Sequence, residues 1–355
     1  MKTITSNTTA RQLAEKLQKH IPALMEEQCV PGLSLVLIRG ADIFWSHAFG
    51  LQSSLSRESV TEETVFEAAS LSKPVFAYAA LKLCEAGLLD LDTPLTEYLP
   101  DPPVPDEPRL QLLTARHVLS HTTGFPNWRP EGKPLEMYFS PGERFSYSGE
   151  GYMVLQDVIA HITGQEPADY MRTKILHPLG MKNSSFIWNG RDDLPVAVGH
   201  NERGEAAEKY LWQETCAAAS LHCAPREFAK FMCVVMQPSA DNPNHLGPEM
   251  AKEMLTTQVQ VNDSAPWDDD WPRPQFKTDP RVGWGLGWGI EHTSSGDSIW
   301  HWGDNGNYRA FAVGYPESGH GLVIMTNGRN GQKVINRILR EIIGGEYPGL
   351  DWLYG

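Results

Sequence analysis

No uninterrupted apolar stretch of the chain approaches the roughly 20 residues that cross a bilayer, so no membrane anchor is expected. Nor does any cluster of Lys and Arg offer a phosphate backbone or an anionic lipid surface something to hold. The chain has 30 Lys plus Arg against 44 Asp plus Glu, and its formal charge of -14 repels both. Nucleic acid and membrane are therefore not expected as partners. Cysteine is scarce as well. The five, Cys29, Cys84, Cys216, Cys223 and Cys233, are odd in number and nowhere spaced C-x-x-C, which argues against a disulfide framework and a zinc site. The N-terminal residues mix Arg11, Glu15, Lys16, Lys19 and His20 with apolar ones and lack the apolar core of a secretion signal, which reads as a cytoplasmic protein.

Enough apolar residues are present, 41% of 355, to build a substantial core in one large domain or two ordinary ones. Leu13, Leu17, Ile21, Leu24 and Met25 recur at helical spacing and predict an amphipathic helix over residues 9–28. Leu33–Ile38 and Ile43–Phe49 read as two strands joined by Arg39-Gly40-Ala41-Asp42, a hairpin link. From about residue 65 to 260 the pattern is helical, with runs at Val75–Cys84, Ala115–Ser120, Tyr152–Ile162, Pro167–Leu176, Pro225–Met236 and Pro248–Leu255. Strand character returns at Gly285–Ile290, Ser298–Trp302, Tyr308–Tyr315 and Gly321–Thr326, before a last helix over 331–343.

This order predicts an α+β fold: a mixed, mainly antiparallel sheet flanked by N- and C-terminal helices, into which a mostly helical domain is inserted. The expected boundaries are 1–64 and 281–355 for the sheet domain and 65–280 for the helical one, with the functional site at their junction. Residues 261–281 carry Asp268, Asp269 and Asp270 between Trp267 and Trp271, many prolines and no periodicity. They read as a long surface loop, either a lid or a disordered excursion.

Ser70-Leu71-Ser72-Lys73 places a hydroxyl and an amine one helical turn apart at the start of the run Val75–Cys84. Pro74 fits the first turn of a helix, so the helix should begin within a residue or two of Ser70 and turn free N–H groups toward developing negative charge. Ser72 should point to another face. Taken alone, S-x-x-K is as readily a Ser cap followed by a solvated Lys. A serine nucleophile needs an adjacent base, and Lys73 can serve only if desolvation leaves it neutral. Two further segments follow in order. Pro141 to Tyr152 puts Tyr147 in a Gly-flanked loop that can present its hydroxyl, and Trp300-His301-Trp302-Gly303-Asp304-Asn305-Gly306 ends a strand with a glycine that permits close backbone approach.

Together with Arg116-His117-Val118-Leu119-Ser120-His121-Thr122-Thr123-Gly124-Phe125, these segments resemble the serine β-lactamase and penicillin-binding-protein superfamily, in particular the class C β-lactamase-like serine hydrolases that include family VIII esterases and D-amino-acid peptidases. The resemblance runs from about residue 30 to 328. It implies that Ser70 is the acylated nucleophile, Lys73 its proton-relay partner and Tyr147 a sharer of the acid and base roles. His301-Trp302-Gly303 takes the place of Lys-Thr-Gly, and the backbone N–H groups of Ser70 and Asp304 form the oxyanion hole. No metal or organic cofactor is implied.

Three positions depart from the pattern. Gly149 stands where Tyr-x-Asn has Asn, removing an amide that would orient a substrate's acyl-amide group. His301 replaces a fixed cation by a group expected to titrate near neutrality. Asp304 sets a carboxylate beside the oxyanion position, so its side chain must turn away or be held. These departures argue against an efficient β-lactamase. The expected substrate is a small ester or amide, an ester first because an alkoxide leaves with less help from a proton donor than an amine does, with a D-stereospecific peptidase or weak β-lactamase as rival; a catalytically silent binding homologue is the non-enzymatic alternative. His117 and His121, four residues apart, lack a third ligand nearby. Trp284, Trp288 and Trp300 read as core and Trp302 as a pocket residue, while Asp90 and Asp92 read as caps of the turn after the Ser70 helix.

Overall fold

The computed structural model describes residues 7–188, 193–208, 210–261 and 278–354. Apart from their ends, residues 261–281 lie outside the described residues, and the reading of a lid or an excursion there with them.

The N-terminal helix α1 spans Asn7–Glu27 and leads into the hairpin of β1 (Gly32–Arg39) and β2 (Asp42–Gly50). Helical elements then include α2 (Ser72–Glu85), α3 (Ala115–Leu119), α4 (Gly149–Thr163), α5 (Pro167–Tyr170, continuing as one wide turn over Met171–Leu176), α6 (Pro225–Met236) and α7 (Pro248–Leu255). Two short strands lie within the stretch expected to be mostly helical: β3 (Phe66–Ala69) and β4 (Leu221–Cys223) pair antiparallel with each other. The remaining strands are β5 (Val259–Gln260), β6 (Val282–Trp284), β7 (Gly289–Thr293), β8 (Gly296–Asp304), β9 (Arg309–Tyr315) and β10 (His320–Thr326). Helix α8 (Gly331–Arg337, extended by a wide turn over Ile338–Ile343) and α9 (Pro348–Tyr354) close the described chain. Gly285–Ile290, expected as a strand, is instead the turn between β6 and β7 with only its last two residues in β7. Gly287 adopts φ +88°, and a Cβ there would fall 2.4 Å from the Cβ of Ala77, so the turn folds directly onto α2.

Eight strands form one sheet in the order β2-β1-β10-β9-β8-β7-β6-β5, and every named pair in it is antiparallel. Both faces are covered. Leu33, Leu35 and Leu37 of β1, with Leu322 and Ile324 of β10, join the residues of α1 and α8, whereas Val36, Ile38, Val323 and Met325 join those of α2, α4 and α6. Double burial is why these strands read as continuous apolar runs rather than as an alternation. Among the described residues no helix is long and apolar enough to cross a membrane, and all five cysteines are free thiols.

Candidate active site

Helix α2 begins two residues after Ser70, as the Pro74 argument requires. Ala69, the residue before Ser70, has φ +51°, a left-handed conformation that costs a residue bearing a Cβ roughly 1–2 kcal/mol. The bend carries the chain from β3 directly into α2. Ser72 is used structurally: its hydroxyl donates to the carbonyl of Ala69 at 2.5 Å and accepts from the N–H of Leu221 at 2.8 Å, tying the start of α2 to the β3–β4 pair. Asp90 Oδ1 accepts from the N–H groups of Asp92 and Thr93, capping the turn after α2.

Lys73 is buried, 1% exposed, with Nζ 3.2 Å from Ser70 Oγ and 2.9 Å from the carbonyl oxygen of Ala218. It lies 4.7 Å from the centroid of the Tyr147 ring and 5.7 Å from that of Tyr152. Burial lowers its ammonium from 10.5 to about 7. Nζ donates to both oxygens, and an amine that has lost its proton would keep the bond to Ala218 and have a lone pair for the Ser70 hydroxyl, as a general base needs. The solvated-lysine alternative is thereby excluded.

Tyr147 is packed rather than displayed, 9% exposed, with its ring 4.2 Å from His121 and 4.7 Å from Trp302 by centroid. His121 holds the loop on both sides of it. Its carbonyl accepts from the N–H of Ser146 at 2.7 Å and its Nδ1 accepts from the N–H of Ser148 at 3.0 Å. That second bond occupies the nitrogen lone pair a metal would use. Among the described residues no group of three or more His, Cys, Asp or Glu is placed to hold a metal. Ser148 caps α4, accepting from the N–H of Gly151 at 3.0 Å and donating to the carbonyl of Pro126 at 2.8 Å.

The third segment comes from β8. Gly303 passes under β3 so closely that a Cβ would fall 2.3 Å from the carbonyl oxygen of Ala68, which brings Asp304 alongside the chain entering Ser70. The Asp304 carboxylate turns away, accepting from the N–H of Gly306 at 2.9 Å and pairing with Arg309 at 2.6 Å. Trp284, Trp288 and Trp300 are fully buried, and Trp302 is 5% exposed.

His301 corrects the sequence reading. It is fully buried, and burial together with the adjacent Lys73 cation lowers its imidazole to about 3. Its Nδ1 lies 2.7 Å from the carbonyl of Trp302, which can only accept, so that nitrogen carries a proton, and burial keeps the second nitrogen without one. His301 does not titrate near neutrality.

Several participants were not singled out from the sequence. Glu67, buried on β3, accepts from Asn305 Nδ2 at 3.0 Å and Trp212 Nε1 at 3.3 Å, and Asn305 Nδ2 also reaches the carbonyl of Ala219 at 3.2 Å. Asn305 sits inside a motif segment and Glu67 three residues before Ser70, yet their pairing is a tertiary fact. Beside Gly149 stands Trp128: a Cβ on Gly149 would fall 2.8 Å from two carbons of its indole.

A family model described as Beta-lactamase matches residues 17–343. Over 216 residues the chain is 29% identical to penicillin-binding protein 4* of Bacillus subtilis (strain 168), covering 54% of this chain and 46% of that one. Over 211 residues it is 29% identical to esterase EstB of Burkholderia gladioli, covering 50% and 53%. It thus spans about half the length of these curated relatives. An octameric penicillin-binding protein homologue from Pyrococcus abyssi superposes with a TM-score of 0.76 at 25% identity, covering 94% of this chain and 78% of that one. Since the matched residues take in Ser70, Lys73, Tyr147 and the whole of β8, fold and sequence agree that the chain belongs to the beta-lactamase family.

Proposed function

We propose that the protein hydrolyses a small neutral ester through an acyl-enzyme on Ser70. The observation that carries this reading is the 3.2 Å approach of Lys73 Nζ to Ser70 Oγ, with the amine buried and poised near neutrality. Lys73 takes the Ser70 proton as Oγ attacks the ester carbonyl carbon. The resulting oxyanion is held by the N–H groups of Ser70 and Asp304. Collapse breaks the bond to the alkoxide, which leaves as alcohol with a proton from the Lys73 and Tyr147 pair, and water then releases the acid by the same steps reversed. The site lies at the junction of the 1–64 and 281–355 unit with the 65–280 unit.

Membership in a family of serine hydrolases, with an esterase and a penicillin-binding protein among the relatives, supports hydrolysis. The neutrality of His301 supports the neutral ester, because that position of the strand offers a substrate carboxylate no cation. Arg309, the nearby fixed charge on β9, is already paired with Asp304. The test is labelling by a fluorophosphonate together with turnover of p-nitrophenyl esters, D-amino-acid amides and nitrocefin. Labelling and ester turnover in wild type, both lost in Ser70→Ala, are expected. Wild type that labels but prefers the amides or nitrocefin overturns the ester; wild type that does not label overturns the hydrolase.

A further inference from the structure

The N-terminus of α4 places Gly149 two residues after Tyr147, whose ring meets Lys73. The volume a side chain at 149 would occupy is filled: the carbonyl oxygen of Asn127 and Cζ2 and Cη2 of Trp128 each lie 2.8 Å from an ideal Cβ. An asparagine here requires both the indole and the Asn127 carbonyl to shift. Trp128 remains 47% exposed, so one edge packs on Gly149 while the rest of the ring is open.

The residues on either side of Trp128 lock it to the same helix turn. Asn127 accepts from the N–H of Gly149 through both its carbonyl, at 3.0 Å, and its Oδ1, at 3.1 Å, and its carbonyl also accepts from the N–H of Glu150 at 3.1 Å. Arg129 makes a two-pronged pair with Glu150, Nε to Oε1 at 3.0 Å and Nη2 to Oε2 at 2.8 Å, and its backbone N–H donates to Oε1 at 2.9 Å. The Glu150 side chain is 6% exposed, so this anchor is mostly shielded from solvent. A half-exposed aromatic ring is thus held on a rigid mount against Gly149, two residues from Tyr147. Exposed tryptophan in such a position supplies a flat apolar wall with little entropy left to lose on binding.

We propose that Trp128 is the specificity-determining residue of the acyl side, selecting esters whose acyl group is aromatic, such as arylacetyl, over those bearing an acyl amide. The proposal rests on the Ser70 hydrolase reading and names the substrate class for that site. With an indole edge where an amide would stand, an aromatic acyl group gains a stacking partner and an acyl amide finds no hydrogen-bond partner on that edge.

The experiment compares kcat/KM for p-nitrophenyl phenylacetate, p-nitrophenyl acetate and the p-nitrophenyl ester of N-acetylglycine in wild type, Trp128→Ala and Trp128→Phe. In Trp128→Ala the phenylacetate-to-acetate ratio should fall about two- to tenfold, the worth of one aromatic contact. Trp128→Phe should keep most of that ratio, and Trp128→Ala should raise the N-acetylglycine-to-phenylacetate ratio above wild type. An unchanged phenylacetate-to-acetate ratio in Trp128→Ala overturns the wall while leaving Ser70 as nucleophile. Calorimetry with phenylmethaneboronic acid and methaneboronic acid, in which boron stands for the acyl carbonyl carbon, gives a readout without turnover, and the same ratio of affinities should fall. If wild type neither cleaves the esters nor binds either boronate, the Ser70 reading falls and the wall with it.

Discussion

Asn305 Nδ2 donates to Glu67 Oε2 at 3.0 Å across 238 residues of chain, and the same amide reaches the carbonyl of Ala219 at 3.2 Å. One side chain therefore ties together the strand that delivers Ser70, the end of the strand that brings Asp304, and the neighbour of the carbonyl that holds Lys73. Asn305→Ala should lower kcat about ten- to a hundredfold with KM moving less, since a small misplacement at the reacting atoms is enough. Circular dichroism should remain native. A rise in KM with kcat intact would mean that Asn305 positions substrate rather than the site.

Lys73 should be a stability liability. The unfolded side chain holds its proton up to 10.5 and the folded one only to about 7, so between those values the unfolded chain binds more protons and stability rises with pH. At pH 7 the burial cost is on the order of 4 kcal/mol, partly offset by the bond to Ala218. Lys73→Met should abolish turnover yet raise Tm by a few degrees, and the gain should shrink as pH climbs from 7 toward 10. In wild type, kcat/KM should rise through about pH 7 as the amine loses its proton. Thermal melts and pH–rate profiles check both.

Lys73 and Tyr147 should behave as one proton-transfer unit. Lys73→Ala and Tyr147→Phe should each cost nearly as much as the double variant, because members of a catalytic unit are not additive. Additive losses would leave one of them a packing residue.

His301 stays neutral throughout the working range, so pH should not act on substrate charge through it. The ratio of kcat/KM for an anionic to a neutral ester, followed from pH 5 to 8, should have the same profile in wild type and His301→Gln. His301→Lys would bury a second cation against Lys73. It should lower Tm and shift the pH–rate limb to lower pH, rather than improve KM for anions.

The hairpin, the long helices and the central strands were legible because burial on one or both faces writes a period or a continuous apolar run into the chain. Strands β3 and β4 were not: four and three residues are too few to show alternation, and Ala68-Ala69 carries no strand preference. At Gly285–Ile290 the alternating glycines imitate a strand, but the left-handed Gly287 breaks it against α2. In the site, the one-turn spacing of Ser70 and Lys73 could be read directly. The charge of His301 could not, since its proton affinity is set by full burial and by Lys73, which only the folded chain brings near. Trp128 escaped notice for the same reason, because nothing in its surroundings in the sequence points to Gly149.

One strand in from the sheet's β2 edge, β1 lies against β10, with Leu33 opposite Thr326. During synthesis at roughly 5–20 residues per second, β1 waits tens of seconds for the strand that completes it. Until then the β1–β2 hairpin offers an unpaired edge and strand faces that are apolar in the native core, the features that invite intermolecular pairing. Closing so long a loop is also slow in refolding, since the entropy of closure is lost before the contacts repay it. The interval of greatest aggregation risk is therefore set by the time the ribosome takes to reach the C-terminal strands, and a faster-translated message would shorten it without changing a residue.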